Sequence, residues 1–275
     1  TADDVGVKAV DDYTLEVETS YYAPWFVTLT ATTVFFPVKQ SVVEAAGDPW
    51  TKSVSTYVSN GPFMLTEYSS LDKLVMTKNP NYQDADSVKV DEVIYYIIAD
   101  PSSVLVAYDN GELNVADDIN ADARKEYSGT EQLVPKDRIG IQYWDFNCKL
   151  PEFSDKRVRQ AFSYAIDRQK LIDTVTKGEQ KPAKSFAPPG IFGTPAEDPD
   201  FVGSAFDPEK AQALLAEAGY PNGEGLPEIT LMFNTSEGHQ KIAEFVQQSL
   251  QENLGVTVTL ANQEWAVYLD TLTED

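Results

Sequence analysis

The chain of 275 residues carries a single histidine, His239, and a single cysteine, Cys148, so any chemistry it performs must rest on a narrow set of groups. Ser236 and His239 lie close together, yet no Gly-x-Ser-x-Gly elbow precedes them, and a lone histidine at a helix start reads as a cap-region residue. One His and one Cys cannot assemble a transition-metal cluster. The acidic doublets Asp3-Asp4, Asp11-Asp12 and Asp117-Asp118 lack the spacing of a calcium loop. Nothing singles out a carboxylate pair for glycoside hydrolysis. The residues therefore predict a protein that is not an enzyme and that needs no metal or cofactor.

Groups suited to binding are easier to find. Asn60-Gly61-Pro62 stands before a strand, where glycine lets backbone approach a ligand closely and asparagine offers an amide; the same three residues read equally well as an ordinary tight turn. Gln142, Tyr143, Trp144, Asp145 and Asn147 lie along a further apolar run, and strand alternation sends some of them into the core and others outward. Tyr143 and Trp144 read first as packing residues and second as ligand contacts. Asn147 is the better candidate, because a polar amide at a strand end must find a partner.

These residues need elements to hold them. Val5 to Val10 and Tyr13 to Val17 flank Asp11-Asp12, the pattern of a hairpin, and Lys39 to Ala46 is a short helix stopped by Gly47. Phe63 to Glu67 and Lys73 to Lys78 read as paired strands, and Val88 to Ile98 as a longer one. Asp100-Pro101 caps and opens a helix that ends near Gly111, Asn120 to Tyr127 is another, and Arg138 to Phe146 reads as a strand. Phe153 to Val175 carries a continuous helical stripe through Val158, Ala161, Phe162, Ala165, Ile166, Leu171, Ile172 and Val175.

Lys181 to Pro208 is a long loop rich in Pro, Gly and Asp whose aromatic residues pack. Asp207, Pro208 and Gly219 bracket a helix. A strand at Glu228 to Phe233, a helix at Gly238 to Leu254 and a strand at Val256 to Leu260 form a β-α-β unit with parallel strands, and Glu264 begins one more helix. The expected fold is α/β, with one lobe over residues 1–143 and a second over 144–275.

A net charge of −23 excludes nucleic acid as a partner, since that recognition draws on clustered Lys and Arg. No apolar run is long enough to span a bilayer. The single cysteine rules out an intrachain disulfide and reads as a buried thiol. No signal peptide is present in these residues.

The combination Phe153-Ser154-Asp155 followed by Val158-Arg-Gln-Ala-Phe-Ser-Tyr-Ala-Ile-Asp-Arg168 resembles the signature region of extracytoplasmic oligopeptide- and dipeptide-binding proteins of ABC importers, family 5. The likeness extends to Thr14-Leu-Glu-Val17, Ser59-Asn-Gly-Pro-Phe63, Asn79-Pro-Asn-Tyr82, Gly111-Glu-Leu-Asn114, Ala187-Pro-Pro-Gly190, Ala211 to Tyr220, and Gln263-Glu264-Trp265. Family members are about twice this length, which makes the chain an internal fragment with incomplete lobes. The acidic residue that anchors a peptide's α-amino group in the better-known members lies C-terminal to the region covered here.

The resemblance implies a two-lobed receptor of the type II periplasmic-binding-protein kind, with mixed sheets and flanking helices. It implies a monomer, in the periplasm or on a lipid anchor, that closes on a short peptide and delivers it to ABC permease subunits. Asp117 and Asp118 fall where family members approach the ligand and could receive a peptide amine, although a solvated helix cap is an equal reading. Trp265 matches the family's Glu-Trp pair and is expected to be mainly structural, near the cleft wall. Arg157, Arg159 and Arg168 are expected in ion pairs or between helices. Relatives that take up nickel chelates, oligosaccharides or haem, and surface sensors or adhesins of the same fold, are the alternatives.

Overall fold

The computed structural model describes residues 5–117, 119–136 and 138–274. These form two compact units that meet in sequence at Ala99 and Asp100.

The first unit opens with an antiparallel hairpin, β1 (Val7–Asp11) and β2 (Thr14–Val17), whose turn is closed by the Tyr13 N–H donating to Asp11 Oδ1 at 2.8 Å. Two short helices follow, α1 (Phe26–Leu29) and α2 (Gln40–Ala46), the latter ended by Gly47 at φ 66°. A three-stranded antiparallel sheet then runs in the order β3 (Phe63–Tyr68), β4 (Lys73–Lys78), β5 (Glu92–Tyr96). Leu65 and Val75 are its buried residues. A bulge at Thr66 shifts the register, and the Thr66 hydroxyl donates to the Val75 carbonyl. The strand expected over Val88 to Ile98 is shorter than its apolar run. A strand extends only as far as its partner pairs with it, and β4 offers partners from Thr77 opposite Glu92 to Lys73 opposite Tyr96.

The second unit begins with α3 (Pro101–Asp109), capped by the Asp100 carboxylate on the Ser102 and Ser103 N–H groups, and α4 (Ala121–Glu126), capped by Asn120. The segment Arg138 to Phe146, expected as a strand, has no regular secondary structure and pairs with no strand among the described residues. The stripe expected as one helix over Phe153 to Val175 is three: α5 (Pro151–Ser154), α6 (Lys156–Tyr164) and α7 (Arg168–Leu171), with a wider turn over Ile172–Thr176. Asp155 and Asp167 cause the breaks. Each takes extended backbone and accepts a bond from the helix that follows, at Arg157 N and Lys170 N.

A long irregular segment leads to α8 (Pro208–Glu217). Strand β6 (Ile229–Asn234), helix α9 (Glu237–Leu254) and strand β7 (Val258–Gln263) then form a β-α-β unit with parallel strands in register from Ile229–Val258 to Asn234–Gln263, and α10 (Trp265–Glu274) follows. The core joins Phe153, Val158, Ala161, Phe162 and Ala165 to Ala211 and Leu215 of α8 and to Val246, Leu250 and Leu254 of α9. Alanines at the crossing of α6 and α8 let the two backbones come close, and Leu215 is wholly buried between them.

Candidate functional site

In the first unit the Ser59–Pro62 turn is held from beneath by one residue. Asn79 is 3% exposed; its Nδ2 donates to the Gly61 carbonyl at 2.8 Å, its own N–H donates to the Pro62 carbonyl at 2.9 Å, and its Oδ1 accepts from Asn81 N at 3.0 Å. The Gly61 N–H donates to Ser59 Oγ at 3.0 Å. Both backbone groups of Gly61 are therefore engaged within the protein, and Asn60 and Pro62 are the exposed members of the three. The sequence offered Asn79 only as part of a family motif. A buried asparagine at the end of a strand, followed by proline, is the signal that marks it as the organiser of this turn.

In the second unit, Tyr143 is exposed and packs its ring edge-to-face on Phe186 at 5.0 Å, whereas Trp144 turns onto the core cluster. Asn147 satisfies itself locally: its Oδ1 accepts from Lys149 N at 3.0 Å and its carbonyl from Leu150 N at 3.1 Å, a turn that feeds α5. Cys148, expected to be buried, is exposed on that turn. Asp117 is exposed, and Asp118 lies outside the described residues. Trp265, at the start of α10, is exposed and stacks on Tyr268 at 5.9 Å.

An open cavity of about 420 Å³ is lined by Tyr108, Asp109, Leu113, Asn114, Tyr127 and Gln132. The Tyr127 hydroxyl donates to Asp109, and holding that proton beside a carboxylate pushes the phenol up to about 12.

The arginines divide. Arg157 pairs with Asp155 at 2.6 Å. Arg159 reaches the Phe153 and Ser154 carbonyls, and Arg168 those of Ser163, Ile166 and Ser204, so these two hold backbone rather than carboxylates.

A polar cluster lies at the carboxyl ends of β6 and β7, where open parallel sheets bind ligands; the sequence singled out Ser236 and His239 only as an improbable hydrolase pair and did not connect them with Asn234, Thr235, Asn262 and Gln263. His239 Nδ1 lies 2.7 Å from Asn234 Oδ1, an amide oxygen that accepts, so this ring nitrogen is the donor. Ser236 caps α9, Thr235 N donates to the Gln263 carbonyl at 2.7 Å, and Asn262 Nδ2 donates to Thr235 Oγ1 at 3.0 Å. Gln263 Oε1 is buried without a partner among the described residues. The β-α-β pattern was visible in the sequence, and the carboxyl-edge rule applied to it would have pointed to these residues.

The model of bacterial extracellular solute-binding proteins, family 5 (its middle region), matches residues 1–275. The chain belongs to this family. It is 35% identical over 274 residues to the dipeptide-binding protein DppE of Bacillus subtilis, covering 98% of this chain and 50% of that protein. It is 34% identical over 272 residues to the probable deoxycholate-binding periplasmic protein YgiS of Escherichia coli, covering 97% of this chain and 50% of that protein. The structure of the Escherichia coli murein tripeptide binding protein MppA superposes with a TM-score of 0.86 at 34% identity, over 98% of this chain and 53% of that one. The chain thus spans about half the length of the curated relatives it matches, and its mixed α/β fold is that of the corresponding half of a family 5 solute-binding protein. No helix among the described residues is long and apolar enough to cross a membrane.

Proposed function

We propose that the chain is part of the substrate-binding component of an ABC importer, which binds short peptides outside the cytoplasmic membrane and presents them to permease subunits without altering them. The observation that carries this reading is the agreement of fold over 98% of the chain with a murein tripeptide binding protein. The surfaces described above suit the task. The Ser59–Pro62 turn and the carboxyl edge of β6 and β7 offer fixed polar groups of the kind that grip a peptide main chain. Tyr143, Phe186 and Trp265 offer exposed aromatic area for side chains. Asn60, Gly61, Pro62, Asp117, Asp118, Tyr143, Trp144, Asn147 and Trp265 are the proposed contacts, with Trp144 and Gly61 acting through the positions they hold. The lobe boundary is proposed near residue 143, and the receptor as a monomer in the periplasm or on a lipid anchor.

A non-peptide solute is the second reading, favoured by the likeness to a probable deoxycholate-binding protein. Native mass spectrometry of the full reading frame against a mixed library of di- to hexapeptides, with deoxycholate and an oligosaccharide as controls, separates the two. Peptide adducts are expected; adducts with a control alone would overturn the peptide assignment.

A further inference from the structure

Arg168 holds the far end of the long segment between the wide turn at Ile172–Thr176 and α8. Its guanidinium is largely removed from water, which lowers its pKa, and it meets neutral oxygens: the carbonyls of Ser163 at 3.1 Å, Ile166 at 3.3 Å and Ser204 at 3.0 Å, and the Ser163 hydroxyl at 2.9 Å. Only a planar fork of several donors serves so many acceptors at once. The same segment is tied a second time where Asp207 N donates to the Tyr164 carbonyl at 2.9 Å.

The residue before Ser204 transmits this hold. Gly203, at φ 57°, lies so close to the Lys184 backbone that a Cβ there would collide with the Lys184 carbonyl. The segment thus crosses itself at Gly203 and Lys184. Two residues beyond Lys184, the ring of Phe186 packs on Tyr143, while Gly190 sits against Ile139. A connected path runs from the guanidinium through Ser204, Gly203 and Lys184 to the exposed aromatic pair.

We infer that Arg168 is a positioning residue: by fixing Ser204 it sets the Phe186 ring against Tyr143, and so shapes the aromatic shelf on which an apolar or aromatic side chain of the ligand rests. The shelf's use rests on the peptide-binding reading above; the mechanical link does not. The test uses the full-length protein with Arg168→Met, Arg168→Lys and Phe186→Ala, and two readouts. Hydrogen–deuterium exchange of the Gly190 N–H, the amide of residues 184–190 that is hydrogen-bonded, to Glu197, is expected to rise about tenfold in Arg168→Met, the size of one lost charge-assisted hydrogen bond, with partial recovery in Arg168→Lys. Unchanged exchange in this segment, or a rise spread evenly over α6, α8 and α9, overturns the inference.

The second readout is the ratio of affinities for a tripeptide with a central Phe and one with a central Ala. It is expected to fall by the same factor in Arg168→Met and Phe186→Ala, and no further in the double variant. A ratio unchanged in Arg168→Met while Phe186→Ala lowers it overturns the positioning role. If the wild type binds neither peptide the function reading fails, and the exchange data alone decide the link.

Discussion

Asn79 shows how one buried amide fixes a surface turn. Changing it to alanine leaves the Gly61 carbonyl without its donor and the Asn81 N–H without its acceptor, an expected loss of about 1–3 kcal/mol measured as a lower urea midpoint. Asn79→Asp keeps the acceptor but sets a carboxylate against a carbonyl, and is expected to be worse than alanine near neutral pH. A second residue prediction concerns pH. The Arg157 side chain, and then its backbone N–H, draw Asp155 down from its ordinary 3.8 to about 2. A carboxylate lowered in the folded state stabilises fully above its unfolded value and loses that contribution as pH falls from about 4 to about 2. Asn still caps a helix, so Asp155→Asn isolates the charge. Urea midpoints of wild type and variant should differ by a constant amount above about pH 5 and converge in that acid window. A gap that persists at pH 2 would count against the pairing. At this scale the sequence was half legible. It named Tyr143, Trp144 and Trp265 by type but gave no sign of which way each ring faces. It placed Cys148 inside because thiols are usually buried, whereas the Asn147 turn carries it out.

Elements were read with more success wherever their ends carry chemistry. Asp100-Pro101, Asn120, Ser236 and Gly255 are caps whose side chains or positive φ are visible as residue types, and the helices begin and end beside them. Failures came where a pattern lacked a partner or hid a break. Ile139, Ile141 and Tyr143 alternate as a strand does, but alternation cannot supply a neighbouring ladder. The apolar residues from Phe153 to Ile166 keep their helical spacing across the break at Asp155 because α5 and α6 still face one core. Two predictions belong here. Leu215→Ala, at the crossing of α6 and α8, should lose about 2–5 kcal/mol in urea unfolding. Gly255 ends α9 at φ 69°, and a Cβ there would strike the Asn222 carbonyl, while a Cβ on Gly223 would press on the Gly255 backbone. Gly255→Ala should therefore lose more than the roughly 1 kcal/mol of its conformation alone. The pair Gly223→Ala and Gly255→Ala should be less than additive, since the first substitution already opens the gap; full additivity would show that the two backbones do not touch.

At the scale of the whole chain, large apolar side chains stand in water in both units. Tyr13, Leu15, Tyr22, Val27 and Val34 are among the large apolar side chains left open. The 275-residue chain should enhance ANS fluorescence strongly, and a polypeptide of the relatives' full length should do so much less; equal enhancement by both would mean that this surface stays bare. On the peptide-binding reading proposed above, the net charge of −23 on these 275 residues makes a further prediction. Association of a peptide carrying two positive charges should slow as salt rises from about 0.01 to 0.3 M, over which screening shortens from about 30 Å to under 10 Å, while a neutral peptide is unaffected. The unpaired stretch at 138–147 carries one more consequence. Its backbone donors and acceptors face no ladder among the described residues, and Ile139 and Tyr143 stand open beside them. An apolar segment with unpaired backbone can pair with its own kind, so encounter with another copy is a hazard for the chain: loss of soluble material should grow with the square of concentration, and dilution should protect the chain better than cooling.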